Sequence, residues 1–176
     1  MRYTAFRAGR AVALALLALP GCASLPRQPG AVAAPAPVFS AERFFEGRTE
    51  GRGTLKVVAS RARPVHVLGT GHVEADGTLV LTQTVTEGDK PPKTREWRIR
   101  PVSPGRYAGT LSDAAGPVTG EVHGNRLDLR FRMAGGFAVE QRLYLRPDGR
   151  AALNRLTVRK LGIVVAVLDE TITKVG

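Results

Sequence analysis

The sequence is poor in the residue types on which most catalytic and metal sites depend. Its 176 residues include one cysteine, three histidines and one tryptophan. A single cysteine excludes an intramolecular disulfide framework, and His66, His72 and His123 are predicted on the polar, outward faces of separate strands. The chain also lacks the Gly-x-Ser-x-Gly motif of a nucleophile elbow. We therefore expect a protein that is not an enzyme and that uses no metal or other cofactor.

No apolar run is long enough for a transmembrane helix, which needs roughly 20 residues. The apolar run at residues 11–19 follows three arginines and leads into Leu19-Pro20-Gly21-Cys22. This order is typical of a secretory signal, and the last four residues resemble the lipobox of bacterial lipoproteins. We predict that residues 1–21 form the signal peptide and that Cys22 is lipidated. The alternative is an ordinary signal peptide followed by a chance cysteine.

The predicted anchor indicates where the protein works. An Ala rather than an Asp follows Cys22, which in enterobacteria-like sorting indicates the outer membrane. We expect a lipid-anchored envelope protein that faces the periplasm. Residues 22–40 are rich in Pro and Ala and predict a flexible linker. Residues 41–176 then form a single domain.

The domain has the pattern of a β-meander. Apolar residues alternate over short runs that are separated by turn residues such as Asp76-Gly77 and Gly124-Asn125. The predicted strands are residues 53–60, 65–75, 78–87, 94–101, 106–111, 117–123, 126–134, 137–146, 151–160 and 163–174. About ten strands linked in this way best avoid exposed edges by closing into an antiparallel up-and-down barrel. A two-sheet sandwich is the alternative.

Within each strand the alternation separates an apolar face from a charged face. Leu127, Leu129 and Phe131 share one face of their strand, and arginines occupy the other. A charged outer face is not that of a membrane-spanning barrel, whose outside is apolar. The last strand differs, because Ile163–Leu168 is apolar on both faces. We expect this segment to be covered by Phe44-Phe45 or to contact a membrane or a partner.

Four polar side chains interrupt the apolar faces, and a tryptophan accompanies one of them. The residues are Gln83, Arg95, Trp97, Gln141 and Asn154. They predict a cavity in which a few polar groups orient a largely apolar ligand. The alternative is structural, because buried polar groups can satisfy one another, and an Arg packed over a Trp is a structural device in lipocalin-like folds.

Short motifs follow one another through residues 44–176 in a recognisable order. They are Phe45-Glu46-Gly47, Arg95-Glu96-Trp97-Arg98-Ile99, Tyr107-Ala108-Gly109-Thr110, Gly120 with Gly124-Asn125, Tyr144-Leu145, Asn154-Arg155 and Lys160-Leu161-Gly162. Their order and spacing resemble the bacterial lipoprotein family named domain of unknown function 3833. The family often has Asp-Trp-Met-Tyr-Leu where this chain has Gln141-Arg142-Leu143-Tyr144-Leu145. The resemblance implies a lipocalin-like barrel and a lipoprotein, and it implies no particular biochemical activity.

The net charge of +11 indicates which partners to expect. A basic envelope protein favours anionic lipid headgroups. Nucleic acid is the other partner of basic domains, but we expect none because the charges are spread along the strands and the chain is predicted to be exported. The leading hypothesis is a non-catalytic lipoprotein that binds or carries a lipid or another apolar or amphiphilic ligand. The alternatives are an interaction protein with a packed barrel and an enzyme acting on an envelope lipid or glycan.

Overall fold

The computed structural model describes Gln28 and residues 30–176 of the chain. The predicted signal peptide, the lipidation site Cys22 and the first part of the predicted linker lie outside the described residues. The elements in chain order are α1 (Ala41–Phe45), β1 (Gly47–Val57), β2 (Arg63–Val73), β3 (Leu79–Glu87), β4 (Lys93–Ser103), β5 (Arg106–Leu111), β6 (Val118–His123), β7 (Arg126–Met133), β8 (Phe137–Leu145), β9 (Ala151–Lys160) and β10 (Ile163–Val175).

The ten strands form one closed antiparallel barrel. Each strand pairs with its neighbour in sequence, and β10 pairs with β1 to close the ring. The predicted all-β, lipocalin-like up-and-down barrel is confirmed, and the sandwich alternative is wrong. Among the described residues, no helix is long and apolar enough to cross a membrane.

The seam between β1 and β10 depends on glycine. Gly51 pairs with Ile172, and Gly53 pairs with Glu170. The Glu170 side chain lies inside the barrel across both glycines, in the space that a Cβ at either position would occupy. The prediction began this strand at residue 53, whereas β1 begins at Gly47. The alternation was hidden because glycine takes inward positions that an apolar side chain usually fills.

One end of the barrel, here called the closed end, is sealed by α1. Ser40 caps the helix by accepting a hydrogen bond from the Arg43 amide at 3.3 Å. Phe44 and Phe45 are buried and pack edge to face, with ring centroids 4.9 Å apart. The Nζ of Lys174 donates to the carbonyl oxygens of residues 43, 44 and 46. The helix is thereby tied to the end of β10.

The expectation that Phe44-Phe45 covers Ile163–Leu168 is wrong. The two phenylalanines join the main core, beside Leu79 and the side chains that line the closed end. The beginning of β10 lies at the opposite end of the barrel, because β10 runs toward α1. Ile163 is 70% exposed. The apolar start of β10 is therefore not covered by this helix.

The predicted linker contacts the barrel in the part that the structure describes. Asn125 is the centre of this contact. Its Oδ1 accepts from the Ala34 amide at 2.7 Å, and its Nδ2 donates to the carbonyls of Val32 and Leu145 at 3.0 Å. Phe39, which follows, is buried in the core. The sequence could not reveal this contact, because Asn125 reads simply as a turn residue.

Tyr107 connects α1 to the barrel wall and gives the fold a measurable dependence on alkaline pH. Its hydroxyl donates to Glu42 Oε2 at 2.9 Å and accepts from the Ala41 amide at 3.4 Å. Burial is the main cause that raises the pKa of Tyr107 from 10.0 to about 12. The folded protein therefore keeps a phenol proton that the unfolded chain releases above pH 10.

We expect this contribution to be complete below about pH 10 and to disappear as the pH rises to about 12, with a loss of about 2 kcal/mol in the free energy of unfolding. In urea titrations across this range, Tyr107→Phe should show a shallower decline than the wild type. Tyr144→Phe, on the outer face of β8, is the matched control and should follow the wild type. Equal slopes for all three proteins would remove Tyr107 as the cause.

Candidate ligand-binding site

The end of the barrel opposite α1, here called the open end, contains a cavity. It holds about 670 Å³ and adjoins a second space of about 320 Å³. Both spaces are lined by Glu87, Lys90, Asp113 and Met133, so they form one opening. The size lies in the range of roughly 300–1,000 Å³ that is usual for small-molecule sites.

The two sides of this cavity differ in polarity. One side is aliphatic and aromatic, and it consists of Leu55, Val57, Met133, Phe137, Val158, Val165 and Ala166. The other side carries charged residues, namely Arg63, Glu87, Lys90, Lys93, Arg95 and Asp113. An apolar wall beside a charged wall suits a molecule that has an apolar part and a polar part.

Three of the predicted site residues meet in one hydrogen-bonded group. Gln83 Oε1 accepts from Trp97 Nε1 at 2.8 Å and from Arg95 Nε at 3.0 Å. The guanidinium of Arg95 lies 5.5 Å from the centre of the Trp97 ring, close enough for a cation–π contact. Gln83 and Trp97 are buried, and Arg95 lines the cavity. Burial lowers the pKa of the Arg95 guanidinium, and the charges of Asp113 and Glu170 act against this shift.

The other two predicted residues lie inside the barrel on β8 and β9. Asn154 is fully buried and donates to Glu170 Oε2 at 2.7 Å. Gln141 is buried, and its Oε1 has no hydrogen-bond partner among the described residues. Burial raises the pKa of Glu170, while the hydrogen bond from Asn154 and the charge of Arg95 lower it. The five predicted residues thus share the interior, and Arg95 is the one on the cavity wall.

Glu170 is the functional candidate that the sequence prediction missed. It is the buried carboxylate of the interior, and Leu168, Glu170 and Ile172 alternate on the inner face of β10. That alternation was the available signal. It was overlooked because the apolar run that begins β10 gives no face assignment. The charged residues of the mouth were also missed, since they come from loops and strand ends that only the closed barrel brings together.

The described residues offer no metal site. No group of three or more His, Cys, Asp or Glu side chains among them is arranged to hold an ion. His66 Nε2 lies 2.6 Å from Glu50 Oε1 on the outer face, and His123 lies beside Glu121. His72 is exposed. The three histidines therefore stay apart, on the outward faces of their strands.

Substitution by leucine should destabilise the protein at one buried amide of this interior and not at another. Gln83→Leu removes the acceptor of Trp97 and Arg95, and we expect a loss of about 2 kcal/mol in the free energy of unfolding because each orphaned donor is costly. Gln141→Leu removes an oxygen that has no partner in the described chain, and we expect no loss. Chemical denaturation of both variants checks this. Similar losses in the two proteins would mean that Gln141 also has a structural bond.

The family comparison agrees with this architecture. The model of the family described as "Protein of unknown function (DUF3833)" matches residues 16–174. The chain belongs to this family. The resemblance carried by the short motifs is therefore confirmed. A search of curated proteins finds no match.

Solved structures share the fold at low sequence identity. The S-type phycobiliprotein lyase CpeS from Guillardia theta has a TM-score of 0.62 and 9% identity over 78% of this chain and 94% of its own. Rv2717c from M. tuberculosis has a TM-score of 0.60 and 19% identity, and the match covers 76% of this chain and 94% of Rv2717c. A protein of unknown function from Nostoc punctiforme, of the DUF3598 family, has a TM-score of 0.60 and 10% identity. This last match covers 79% of the present chain and 50% of the Nostoc protein. These likenesses show a lipocalin-like barrel.

Several residues of the family motifs have structural roles in the barrel. A Cβ at Gly109 would overlap the carbonyl oxygen of Arg98, so β4 and β5 approach closely there. Asn125 holds the N-terminal segment through its amide. Leu161, before Gly162, has a positive φ of 49° and turns β9 into β10. The motifs thus mark close strand approaches, turns and the Arg95–Trp97 pair.

Proposed function

We propose that this protein is a non-catalytic lipoprotein of the cell envelope whose barrel binds an apolar or amphiphilic molecule such as a lipid. The cavity at the open end carries this proposal. It is large enough for a small ligand, its aliphatic wall would contact an apolar chain, and its charged wall would contact a polar group.

The interior supports binding of a ligand that is only partly apolar. Below the cavity, the barrel is filled by an apolar core that includes Leu127 and Leu143. The polar side chains Gln83, Asn154 and Glu170 are buried above this core or beside it. Replacing a whole group of buried polar side chains by apolar ones of similar volume is often neutral or stabilising, so stability alone does not account for these residues. Gln83 acts on the cavity through its hydrogen bond with Arg95, which lines the cavity wall.

The predicted anchor gives the place of action. Lipidation at Cys22 would hold the protein at a membrane, and an outer-membrane position facing the periplasm follows from the residue after the cysteine. An amphiphile supplied by that membrane would then be the natural ligand. Intact mass spectrometry of the protein purified from membranes tests the anchor, because acyl chains add a defined mass to the peptide that begins at Cys22.

Native mass spectrometry tests ligand binding directly. The chain from residue 23 keeps every residue that the structure describes, and it is exposed to an envelope lipid extract. We expect a retained adduct of defined mass that is lost when detergent is added. Ala166→Trp fills the cavity wall and should abolish the adduct. Val102→Trp, on an exposed position of β4 toward the closed end, should keep it. A wild-type protein that stays free of adducts at every lipid concentration would end the proposal.

A further inference from the structure

We propose that Arg95 binds the anionic head group of a single-chain amphiphile, which enters the barrel head first. This inference rests on the proposed function and names its ligand class. Arg95 is a cation inside the barrel, on the wall of the open cavity. Its hydrogen bond goes to the neutral amide of Gln83, and it forms no ion pair with any carboxylate of the described residues.

A charge withdrawn from water is costly unless an opposite charge compensates it. Glu170 and Asp113 influence Arg95 through space only. Glu170 is tied to Asn154 on the other side of the interior, and Asp113 lies on an exposed loop. An anionic ligand in the cavity would supply the counter-charge that the protein leaves missing.

The neighbours of Arg95 hold the guanidinium in one orientation. Gln83 engages the Nε, and the ring of Trp97 lies against the guanidinium. Trp97 is itself fixed by its own hydrogen bond to Gln83 and by an edge-to-face contact with Phe131, with ring centroids 5.4 Å apart. The two Nη groups are the donors left for a ligand. A planar fork of this kind fits a carboxylate or a phosphate through two parallel hydrogen bonds.

The charge around the cavity also favours an anion. Lys90, Lys93 and Arg63 lie on the same side as Arg95, and Glu87 is engaged by both Arg63 and Lys90. The apolar wall, which includes Phe137 and Val158, lies across the opening from these charged residues. A ligand whose head reaches Arg95 would therefore place its chain along this wall and toward the opening.

Binding of oleate and of oleyl alcohol to the mature protein, stripped of endogenous lipid, tests the inference. These probes share a chain and differ in the charge of the head group. We expect Arg95→Gln to weaken oleate binding about tenfold or more and to leave oleyl alcohol binding unchanged. Arg98→Gln, on the outer face of the same strand, is the matched control and should bind both probes as the wild type does. Hexadecyl phosphate distinguishes a phosphate head from a carboxylate.

A measurement on the wild type tests the same inference if the Arg95→Gln variant does not fold. The carboxyl group of bound [1-¹³C]oleate should stay ionised to a lower pH than that of a short fatty acid in water, because a neighbouring guanidinium favours the charged form. An unshifted carboxyl, or equal losses for oleate and oleyl alcohol in Arg95→Gln, would overturn the role of Arg95 while leaving the proposed function intact. Failure of every amphiphile to bind the wild type would overturn both.

A second inference comes from the outer surface of the same end. We infer that the rim of the open end docks on a lipid bilayer that contains anionic lipids. Val58, Leu161 and Ile163 are 66%, 92% and 70% exposed, and they come from the β1–β2 turn and the β9–β10 turn. The two turns are neighbours, since the Val58 amide donates to the Val165 carbonyl.

Basic side chains surround these aliphatic residues. Lys56, Arg61, Arg159 and Lys160 are exposed at the same end of the barrel. Aliphatic side chains that enter the interface, beside cations that meet anionic headgroups, are the usual means by which a folded domain attaches to a membrane surface. Docking in this way would place the mouth of the cavity on the lipid surface, where head groups are the first part of a lipid to arrive.

The length of the chain before the described residues is compatible with this orientation. The side chain of Gln28 donates to the carbonyl of Glu170, in the second half of β10. Gln28 follows Cys22 at the sixth position, and the chain between them spans at most about 20 Å when extended. Ile163 begins β10, and the seven residues from there to Glu170 cover about 23 Å. Because the strands of a closed barrel tilt by roughly 35–45° from its axis, this part of β10 rises only about 18 Å along the axis. An anchor at Cys22 can therefore reach the lipid surface that the rim would touch.

Fluorescence quenching tests this orientation. Leu161→Cys and Val102→Cys variants of the mature protein each receive a polarity-sensitive fluorophore and are mixed with vesicles that contain doxyl-labelled lipid. With phosphatidylglycerol and phosphatidylethanolamine vesicles, we expect strong quenching of the label at position 161 and none at 102, which lies toward the closed end. Phosphatidylcholine vesicles should quench less. Equal quenching at both positions, or none at either, would overturn the docking inference.

Discussion

Phe44→Ala should lower the free energy of unfolding by about 3–5 kcal/mol, the usual loss when a buried phenylalanine is truncated. Phe44 is 3% exposed and contacts two other aromatic rings at the closed end. Its ring centroid lies 5.5 Å from that of Phe39 and 4.9 Å from that of Phe45. Removing the ring leaves a cavity beneath α1 that a five-residue helix cannot fill by itself. Urea denaturation of the mature protein measures the loss.

The neighbouring residue provides the control for this prediction. Arg43 is exposed in the same helix, and Arg43→Ala should change stability by less than about 0.5 kcal/mol. A small loss for Phe44→Ala, comparable with that control, would show that α1 is not part of the cooperative fold.

Gly53→Ala should destabilise the protein by about 3 kcal/mol, because the added methyl group has no space at the seam of the barrel. A Cβ on Gly53 would lie 2.5 Å from the Asp169 carbonyl oxygen and 2.9 Å from the Cα of Glu170. Both of these are backbone atoms of β10, so no side-chain rotation can relieve the overlap. The two strands must separate locally, which weakens the pairing that closes the ring. Thermal and urea denaturation measure the loss.

Arg52→Ala is the matched control for the seam, since Arg52 is the exposed neighbour of Gly53 on the same strand. It loses only an exposed ion pair with Glu50, and such pairs contribute little. We expect nearly wild-type stability for this variant. If Gly53→Ala also unfolds like the wild type, the seam must have more freedom than the register of β1 and β10 indicates.

The strands were predictable wherever every inner position carries an apolar side chain. In β7, Leu127, Leu129 and Phe131 alternate with arginines and an aspartate, and both the strand and its faces agree with the structure. The prediction failed where the residues of an element do not show the periodic pattern of its secondary structure. The start of β1 was missed because its inner positions include glycines, and α1 was missed because five residues are too few to show a helical period.

The candidate site was predictable in part for the same reason. Gln83 and Arg95 were found because each is a polar residue on an apolar face, and register places them opposite each other on β3 and β4. Glu170 escaped because its strand begins with an apolar run that obscures the faces. The charged residues of the mouth, such as Lys90 and Asp113, belong to separate turns. These residues come close together only because the strands close into a barrel, and a local sequence pattern does not show this closure.

The closure of β1 with β10 also determines when this chain can finish folding. Gly51 and its partner Ile172 are separated by most of the domain, so the ring closes only after the last strand has been made. Pairings this distant in sequence are typically formed slowly. Until then β1 and β9 each present an unpaired edge, and such edges are where a partly folded chain aggregates. A chain truncated before β10 would therefore lose the ring itself, because β10 supplies the pairing that joins β9 to β1.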